Sequence, residues 1–164
     1  MDLIKPPRVE RRPAVAYVGI RVVTPFRGML RVRDDLMADL VAWLEGHGAG
    51  GAGPLFFRLH VIDMDGPMDV EVGAVTREPV AGGDQVRAGT LPAGRYATLT
   101  YRNHSLRANK TLLEWVRANG VALDRRETSE GDAFGCRYEA YLTDPRTESR
   151  KTRWETELSM RVAD

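Results

Sequence analysis

The sequence has little of what marks several classes of protein. It contains one cysteine, Cys136, so no disulfide can form within the chain, and the strand pattern around it predicts a buried thiol rather than a nucleophile. The 24 Lys and Arg residues nearly balance the 23 Asp and Glu residues, for a net charge of +1. A chain so balanced has no overall field that favours nucleic acid or an anionic membrane surface.

Other absences narrow the function further. No apolar run is long enough to cross a bilayer, and the N-terminal MDLIKPPRVERRP turns basic and proline-rich instead of continuing as a signal peptide. We therefore expect a cytoplasmic protein with no membrane partner. His47 and His104 have no Cys or His partner at ligand spacing, and neither a phosphate-binding loop nor a nucleophilic serine motif is present. The sequence predicts no metal site and no cofactor.

What the sequence contains is a doubled pattern. From residue 14 it reads strand, helix, strand, strand, and the same order begins again near residue 90. The amphipathic helices are expected at about 33–46 and 106–119, where WLEGHG (43–48) recurs as WVRANG (115–120). Each half alone is too small to bury its apolar faces.

The prediction is an α+β fold made of two βαββ repeats, 14–78 and 90–162, related by a pseudo-twofold axis. The sheets are antiparallel with one helix per repeat, and a ligand groove lies between the halves. Residues 14–164 then form a single domain, and residues 1–13 are expected to be a flexible N-terminal tail.

The last two predicted strands, within FGCRYEAYLTDP (134–145) and RWETELSMRV (153–162), alternate with a period of two. This alternation places Tyr138 and Ala140 on the core face and Glu139, Tyr141 and Glu157 on the opposite, open face. A solvated outer face of an antiparallel sheet is the ordinary interpretation of such alternation. The same parity in the other strands makes the open face unusually aromatic, with Tyr17, Arg58, His60, Glu71 and Tyr96 added to it.

Three stretches resemble the GyrI-like small-molecule-binding domain, which is also the effector-binding module of AraC-type and BmrR-type transcription regulators. They are LPAGRYATLTY (91–101), LLEWVRANG (112–120), and RYEAYLTDP followed by WETEL (137–158). The resemblance implies a groove in which a glutamate and aromatic side chains receive hydrophobic, often cationic, organic molecules. By motif position that glutamate is Glu157, with Glu139 and Tyr141 on the neighbouring strand and Trp154 just before the acid.

The sequence departs from the family pattern in two places. YRNHSL (101–106) stands where many relatives have a His-x-Gly-Pro-Tyr-like turn, which affects one rim of the groove. No helix-turn-helix precedes the domain, so direct DNA binding is not expected.

The primary expectation is a stand-alone sensor or sequestering protein, in the manner of drug or toxin resistance, that binds a small hydrophobic or basic molecule. Glu157 is the expected ligand contact, and a structural ion pair is the alternative role for it. Arg58 is a cation that would neutralise Glu157 or Glu139 and favour polar neutral ligands.

Two other functions are kept as alternatives. The first is a cofactor-independent hydrolase that opens strained, cyclopropane-type natural products, with Glu157 as general acid/base and Tyr141 as its hydroxyl partner. The second is an inhibitor that binds a protein partner, such as a gyrase modulator. Ligand identity and oligomeric state are not predicted.

Overall fold

The computed structural model describes residues 1–49 and 52–164 of the chain. In this part the secondary structure runs β1 (Asp2–Arg12), β2 (Val15–Pro25), α1 (Met29–Gly46), β3 (Leu55–Ile62), β4 (Pro67–Val75), β5 (Arg87–Leu91), β6 (Gly94–Arg102), α2 (Ser105–Ala118), β7 (Arg125–Thr128), β8 (Gly131–Phe134), β9 (Arg137–Tyr141), a short 3-10 turn (Lys151–Arg153) and β10 (Glu155–Arg161). No helix in the described residues is both long and apolar enough to span a membrane.

The strands form one antiparallel sheet in the order β1-β6-β10-β9-β3-β4-β2-β5, with β8 pairing on β3 and β7 on β8. The order within the first half, β2-β4-β3, is repeated in the second half as β6-β10-β9, and the halves meet where β3 pairs with β9. The predicted α+β class is confirmed, and the strand order agrees with two βαββ repeats that share one sheet.

Residues 2–12 are not a flexible tail, so that prediction is wrong. They form β1, which pairs with β6 from Asp2 opposite Arg102 to Arg12 opposite Gly94. The prolines and charges of this stretch suggest coil, but proline is tolerated in a strand at the edge of a sheet, where β1 lies. Irregular register between Leu3 and Arg8 accommodates the two prolines.

Strand β5 was not predicted either, because it lies mostly in the stretch between the two predicted repeats, 14–78 and 90–162. It pairs with β2, from Val15 opposite Leu91 to Gly19 opposite Arg87. The strand that precedes each repeat therefore pairs with the other half: β1 with the second half and β5 with the first. This exchange ties the halves together at both edges of the sheet.

Both helices pack on the same face of the sheet, here called the helix face. Directly paired residues point to one side of an antiparallel sheet, and one such row crosses the sheet through Val72, Phe57, Glu139, Leu158 and Leu99. At one end α1 packs its apolar residues on Val72 and Phe57, and at the other end α2 packs on Leu158 and Leu99. Glu139 thus lies midway between the two hydrophobic cores.

Helix α1 begins four residues earlier than predicted, immediately after Gly28. The φ of Gly28 is 82°, a left-handed conformation that a residue without Cβ adopts at little cost and that turns the chain from β2 into the helix. The added first turn carries Leu30 and positions Arg33 on the buried side of the helix. Both residues line the candidate functional site.

Candidate functional site

The register between β9 and β10 corrects the sequence-based assignment of faces. Glu157 lies opposite Ala140, whereas Tyr141 lies opposite Thr156, so Glu157 and Tyr141 point to opposite faces of the sheet. The predicted catalytic pair of Glu157 and Tyr141 is therefore wrong. The alternation was ambiguous because β9 is buried on both faces, with Ala140 4% and Tyr141 2% exposed, and a one-residue slip of register exchanges the faces of all side chains.

On the helix face, a cavity of about 180 Å³ lies between the first turns of α1 and α2; we call it the interhelical groove. Its floor comes from β6, β9 and β10, its sides from the two helices, and its cover from the segment that connects β9 to β10. The lining residues are Tyr101, Glu139, Tyr141 and Thr156 on the floor, Leu30, Arg33, Asn103, His104 and Ser105 at the sides, and Lys151, Thr152 and Trp154 above.

Glu139 is the acidic group of the groove floor. The hydroxyl of Tyr101 donates a hydrogen bond to its Oε2 at 3.4 Å, and no Lys, Arg or His nitrogen among the described residues lies within 4.0 Å of the carboxylate. Burial raises the pKa of Glu139, while the charge of Arg33 and the Tyr101 hydroxyl act in the opposite direction. A desolvated carboxylate with one long hydrogen bond can accept a further donor.

The aromatic residues surround this acid. Tyr101 and Tyr141 are 4% and 2% exposed, and burial raises the pKa of both phenols, so they act as neutral hydroxyl groups. The Tyr141 ring lies 5.3 Å from the Trp154 ring at an angle of 60°. The indole nitrogen of Trp154 donates to the Glu148 carbonyl at 2.7 Å, which fixes the ring over the groove.

Arg33 is the cation nearest the acid on the α1 side. Its Nη1 donates to the Tyr141 hydroxyl at 3.2 Å, and its Nε and Nη2 donate to Oδ1 of Asp34 at 3.1 and 3.0 Å. The guanidinium carbon lies 5.5 Å from the Tyr141 ring centre and 5.8 Å from the Trp154 ring centre. Arg33 therefore lies against both rings as well as pairing with an acid.

Glu157 belongs to the opposite side of the sheet, here called the reverse face. Its carboxylate pairs with Arg12 at 3.1 Å and with Arg8 at 3.7 Å, both from β1. This ion pair matches the alternative role of Glu157, although the cations come from the stretch that was expected to be mobile and not from Arg58. Arg12 also lies 5.2 Å above the Tyr96 ring, whose hydroxyl donates to the Pro92 carbonyl at 2.6 Å.

A second polar cluster lies in the first half of the reverse face. Glu71 accepts the Tyr17 hydroxyl at 2.7 Å and lies 2.8 Å from Nε2 of His60. Arg58 donates to the Tyr17 hydroxyl at 3.2 Å and to the Gly135 carbonyl at 3.0 Å. These bonds join β2, β3 and β4 on the reverse face, while Nε of Arg58 is buried without a hydrogen-bond partner among the described residues.

The structure thus separates the nine predicted site residues into two groups. Glu139, Tyr141 and Trp154 line the interhelical groove, and the other six lie on the reverse face: Tyr17, Arg58, His60, Glu71, Tyr96 and Glu157. The conclusion that Arg58 would neutralise Glu139 is also wrong, because β3 places Arg58 opposite Tyr138 and Phe57 opposite Glu139.

Several groove residues were missed by the sequence analysis, among them Arg33, Tyr101 and Thr156. One signal was available for Arg33, since it interrupts the apolar stripe of α1 between Met29 and Leu36. Tyr101 continues the buried alternation of Ala97 and Leu99 on β6, a pattern that marks a core position rather than a binding one. In the described part of the chain, no group of three or more His, Cys, Asp and Glu side chains is arranged to hold a metal ion.

Comparison with known proteins identifies the domain family and similar folds. A model of the GyrI-like small molecule binding domain matches residues 5–163. The structure resembles the EcmrR C-terminal domain, with a TM-score of 0.74 and 18% identity over 99% of both chains.

It also resembles SAV2435 bound to tetraphenylphosphonium, with a TM-score of 0.62 and 14% identity over 96% of this chain and 93% of that one. A hydrolase from Listeria innocua is similar over 98% of this chain and 93% of its own, with a TM-score of 0.58 and 13% identity. At these identities the likeness shows the fold alone. No curated protein sequence matches the chain.

Proposed function

Since the chain belongs to the GyrI-like small molecule binding domain family, we propose that it binds a small hydrophobic organic molecule, bearing a hydrogen-bond donor such as a hydroxyl group or the N–H of an uncharged amine, in the interhelical groove. This proposal rests on the surroundings of the Glu139 side chain. It is a half-buried carboxylate between aromatic side chains, and its one side-chain hydrogen bond among the described residues, from Tyr101, is 3.4 Å long. A ligand donor would supply the missing partner.

The volume of the groove limits the size of the ligand that it can hold. At about 180 Å³ it is smaller than the pockets that enclose drug-sized molecules, which are roughly 300–1,000 Å³. A second cavity of about 320 Å³, lined by apolar residues that include Met37, Val41 and Leu55, shares Trp154 and Lys151 with it. A small ligand fits at Glu139, and a larger one extends past Trp154 along α1.

The role that follows is binding by a sensor or a sequestering protein. The groove residues come from both halves of the chain, α1 from the first half and β6, β9 and β10 from the second. A ligand held between them contacts both halves at once, so occupancy stabilises their packing. Such a domain protects the cell by retaining the molecule, or signals its presence through the change in stability.

The test compares two carboxylates on opposite faces of the same hairpin. Calorimetric titration of lipophilic amines and neutral aromatic alcohols into the native protein, Glu139→Gln and the matched control Glu157→Gln separates the two sites. We expect donor ligands to lose about tenfold or more in affinity for Glu139→Gln, from the loss of a charge-assisted hydrogen bond, and to bind Glu157→Gln like the native protein. Loss of binding in Glu157→Gln with retention in Glu139→Gln would place the ligand on the reverse face.

Hydrolysis is the second candidate function, and the raised pKa of Glu139 beside the Tyr101 hydroxyl favours it. With a ring-strained substrate, the Glu139 carboxylate would take a proton from water while the water oxygen bonds to a ring carbon. The ring C–C bond breaks, its electrons pass into a conjugated carbonyl, and that oxygen accepts a hydrogen bond from Tyr101. The proton held by Glu139 then passes to this oxygen, which restores the carboxylate. Mass spectrometry of a cyclopropane-bearing alkylating agent incubated with the protein tests for the water adduct. Glu139→Gln should slow its formation by about a hundred- to ten-thousand-fold.

A further inference from the structure

A buried cation already occupies the aromatic side of the interhelical groove. The Arg33 side chain is 7% exposed, and its guanidinium carbon lies within 6 Å of the ring centres of both Tyr141 and Trp154. About 6 Å is the range over which a cation is attracted by the face of an aromatic ring. Arg33 is held there by α1 and by three hydrogen bonds, two to Asp34 and one to the Tyr141 hydroxyl.

Positive charges around the groove already offset the negative ones. Glu139 and Asp34 contribute two negative charges, and Arg33 and Lys151 contribute two positive ones, with Lys151 paired to the second oxygen of Asp34. Arg137, two residues before Glu139 on β9, adds a further buried positive charge that acts on Glu139. A permanently charged cation entering this space would lie close to the buried guanidinium of Arg33, and like charges repel.

From this arrangement we propose that Arg33 determines the charge selectivity of the groove, which takes uncharged ligands in preference to permanent cations. The proposal rests on the binding function proposed above and names its ligand class. Arg33 occupies the ring faces that a cationic ligand would use and offsets the negative charge of Glu139. An uncharged donor needs neither these ring faces nor a net negative charge, because it hydrogen-bonds Glu139 and packs on the parts of the rings that Arg33 leaves open.

The alternative for a cation is to displace Arg33, and the contacts of Arg33 oppose this. Moving the side chain out of the groove breaks its bond to the Tyr141 hydroxyl and separates it from both rings. Replacing Arg33 with an uncharged side chain of similar length removes this competition, uncovers the faces of both rings and takes away the cation that offsets Glu139 on the α1 side. The variant groove should then attract cations.

Two ligands that differ only in charge provide the test: 4-tert-butylbenzyl alcohol, and the cation in which a trimethylammonium group replaces its tert-butyl group. Each carries a hydroxyl group that can donate to Glu139. Their dissociation constants are measured by NMR titration of the isotope-labelled protein, with shifts at Tyr101, Glu139 and Thr156 reporting the site. We expect the native protein to prefer the uncharged alcohol. In Arg33→Met the affinity for the cation should rise about tenfold, between the size of an exposed and that of a desolvated cation–aromatic contact, while that for the uncharged alcohol changes less than about threefold.

Three further variants make the result specific. Arg33→Gln removes the charge with a polar side chain, so it repeats the test if Arg33→Met does not fold. Arg31→Met removes an exposed charge from the same helix and should bind both ligands like the native protein. In Arg33→Met combined with Glu139→Gln the gain for the cation should disappear, because Glu139 is the charge that attracts it.

The outcomes separate the two proposals. If the uncharged alcohol binds in the groove but the cation binds the native protein as tightly as it binds the Arg33 variants, the selectivity proposal is overturned and the binding function stands. If neither ligand shifts the groove resonances of the native protein or of any Arg33 variant, the groove does not bind ligands of this kind and both proposals fail.

Discussion

Replacing Arg12 with alanine removes a side chain that extends from β1 across the reverse face of the sheet. Arg12 donates to the Tyr138 hydroxyl at 2.7 Å, to Oγ of Ser159 at 2.9 Å and to Oε1 of Glu157 at 3.1 Å, and it also pairs with Glu10 at 2.7 Å. Without it, the nearest cation to Glu157 is Arg8, at 3.7 Å. The substitution thus leaves a largely buried carboxylate and two hydroxyl groups without their donor.

The expected loss of stability follows from how exposed the side chains of Arg12 and Glu157 are. Removing one partner of a fully buried ion pair costs about 3–5 kcal/mol, while exposed pairs contribute about 0.2–1 kcal/mol. The Arg12 side chain is 15% exposed and that of Glu157 is 21% exposed, which is much closer to the buried case. We therefore expect Arg12→Ala to lower the free energy of unfolding by about 2–3 kcal/mol, and the melting temperature by about 4–10 °C for a domain of this size.

Urea unfolding followed by tryptophan fluorescence measures this loss. The matched control is Arg11→Ala, which removes an exposed arginine from the same strand and should change the free energy of unfolding by less than about 0.5 kcal/mol. A double-mutant cycle with Glu157→Gln isolates the coupling between Arg12 and Glu157, expected to stabilise the native state by about 1 kcal/mol or more. Equal stability of Arg12→Ala and Arg11→Ala would show that the contacts of Arg12 do not hold β1 in place.

Two further predictions concern pH. Burial alone would raise the pKa of Glu71, but the bonds from His60 and Tyr17 outweigh it and hold the pKa below its ordinary value, so Glu71 stabilises the fold above the pKa of the unfolded chain. In thermal unfolding from pH 7 to pH 3, Glu71→Gln should be less stable at pH 7 by about 1–3 kcal/mol, and the difference should narrow below about pH 4 as native Glu71 becomes protonated. The ionised form of Glu139 has the opposite effect on stability: because the pKa of Glu139 is raised, its charged form destabilises the fold. Glu139→Gln should therefore melt at a higher temperature than the native protein at pH 7 but not at pH 4. A variant that is less stable at both pH values would show that the attraction of Arg33 for Glu139 exceeds the cost of burying the acid.

Most secondary structure and the fold class could be predicted because they depend on local periodicity. The helical spacing of Leu36, Leu40 and Leu44 and the alternation of Val18 and Ile20 reflect one buried side per element, and both patterns are recorded in the sequence itself. The motifs around residues 91–101 and 137–158 likewise sufficed to identify the family. The face of the predicted groove is a different matter: the groove was expected on the open side of the sheet, with Glu157 as its acid, whereas the cavity with an acid among aromatic residues lies on the helix face.

The identity of the acid depended on tertiary structure. Because β9 is buried on both faces, hydrophobicity does not distinguish the side of Glu139 from the side of Tyr138, and only pairing with β3 and β10 determines which acid faces the helices.

The partners of the charged residues were decided in the same way. Arg12 and Glu157 are 145 residues apart in the chain, and Arg33 reaches Tyr141 across 108 residues. No local pattern records such pairs, since each depends on how the halves of the sheet meet and on which strand covers each edge. The sequence by itself therefore determined the fold class and the family, and the tertiary structure decided on which face of the sheet the groove lies, which acid lines it and which arginine lies beside that acid.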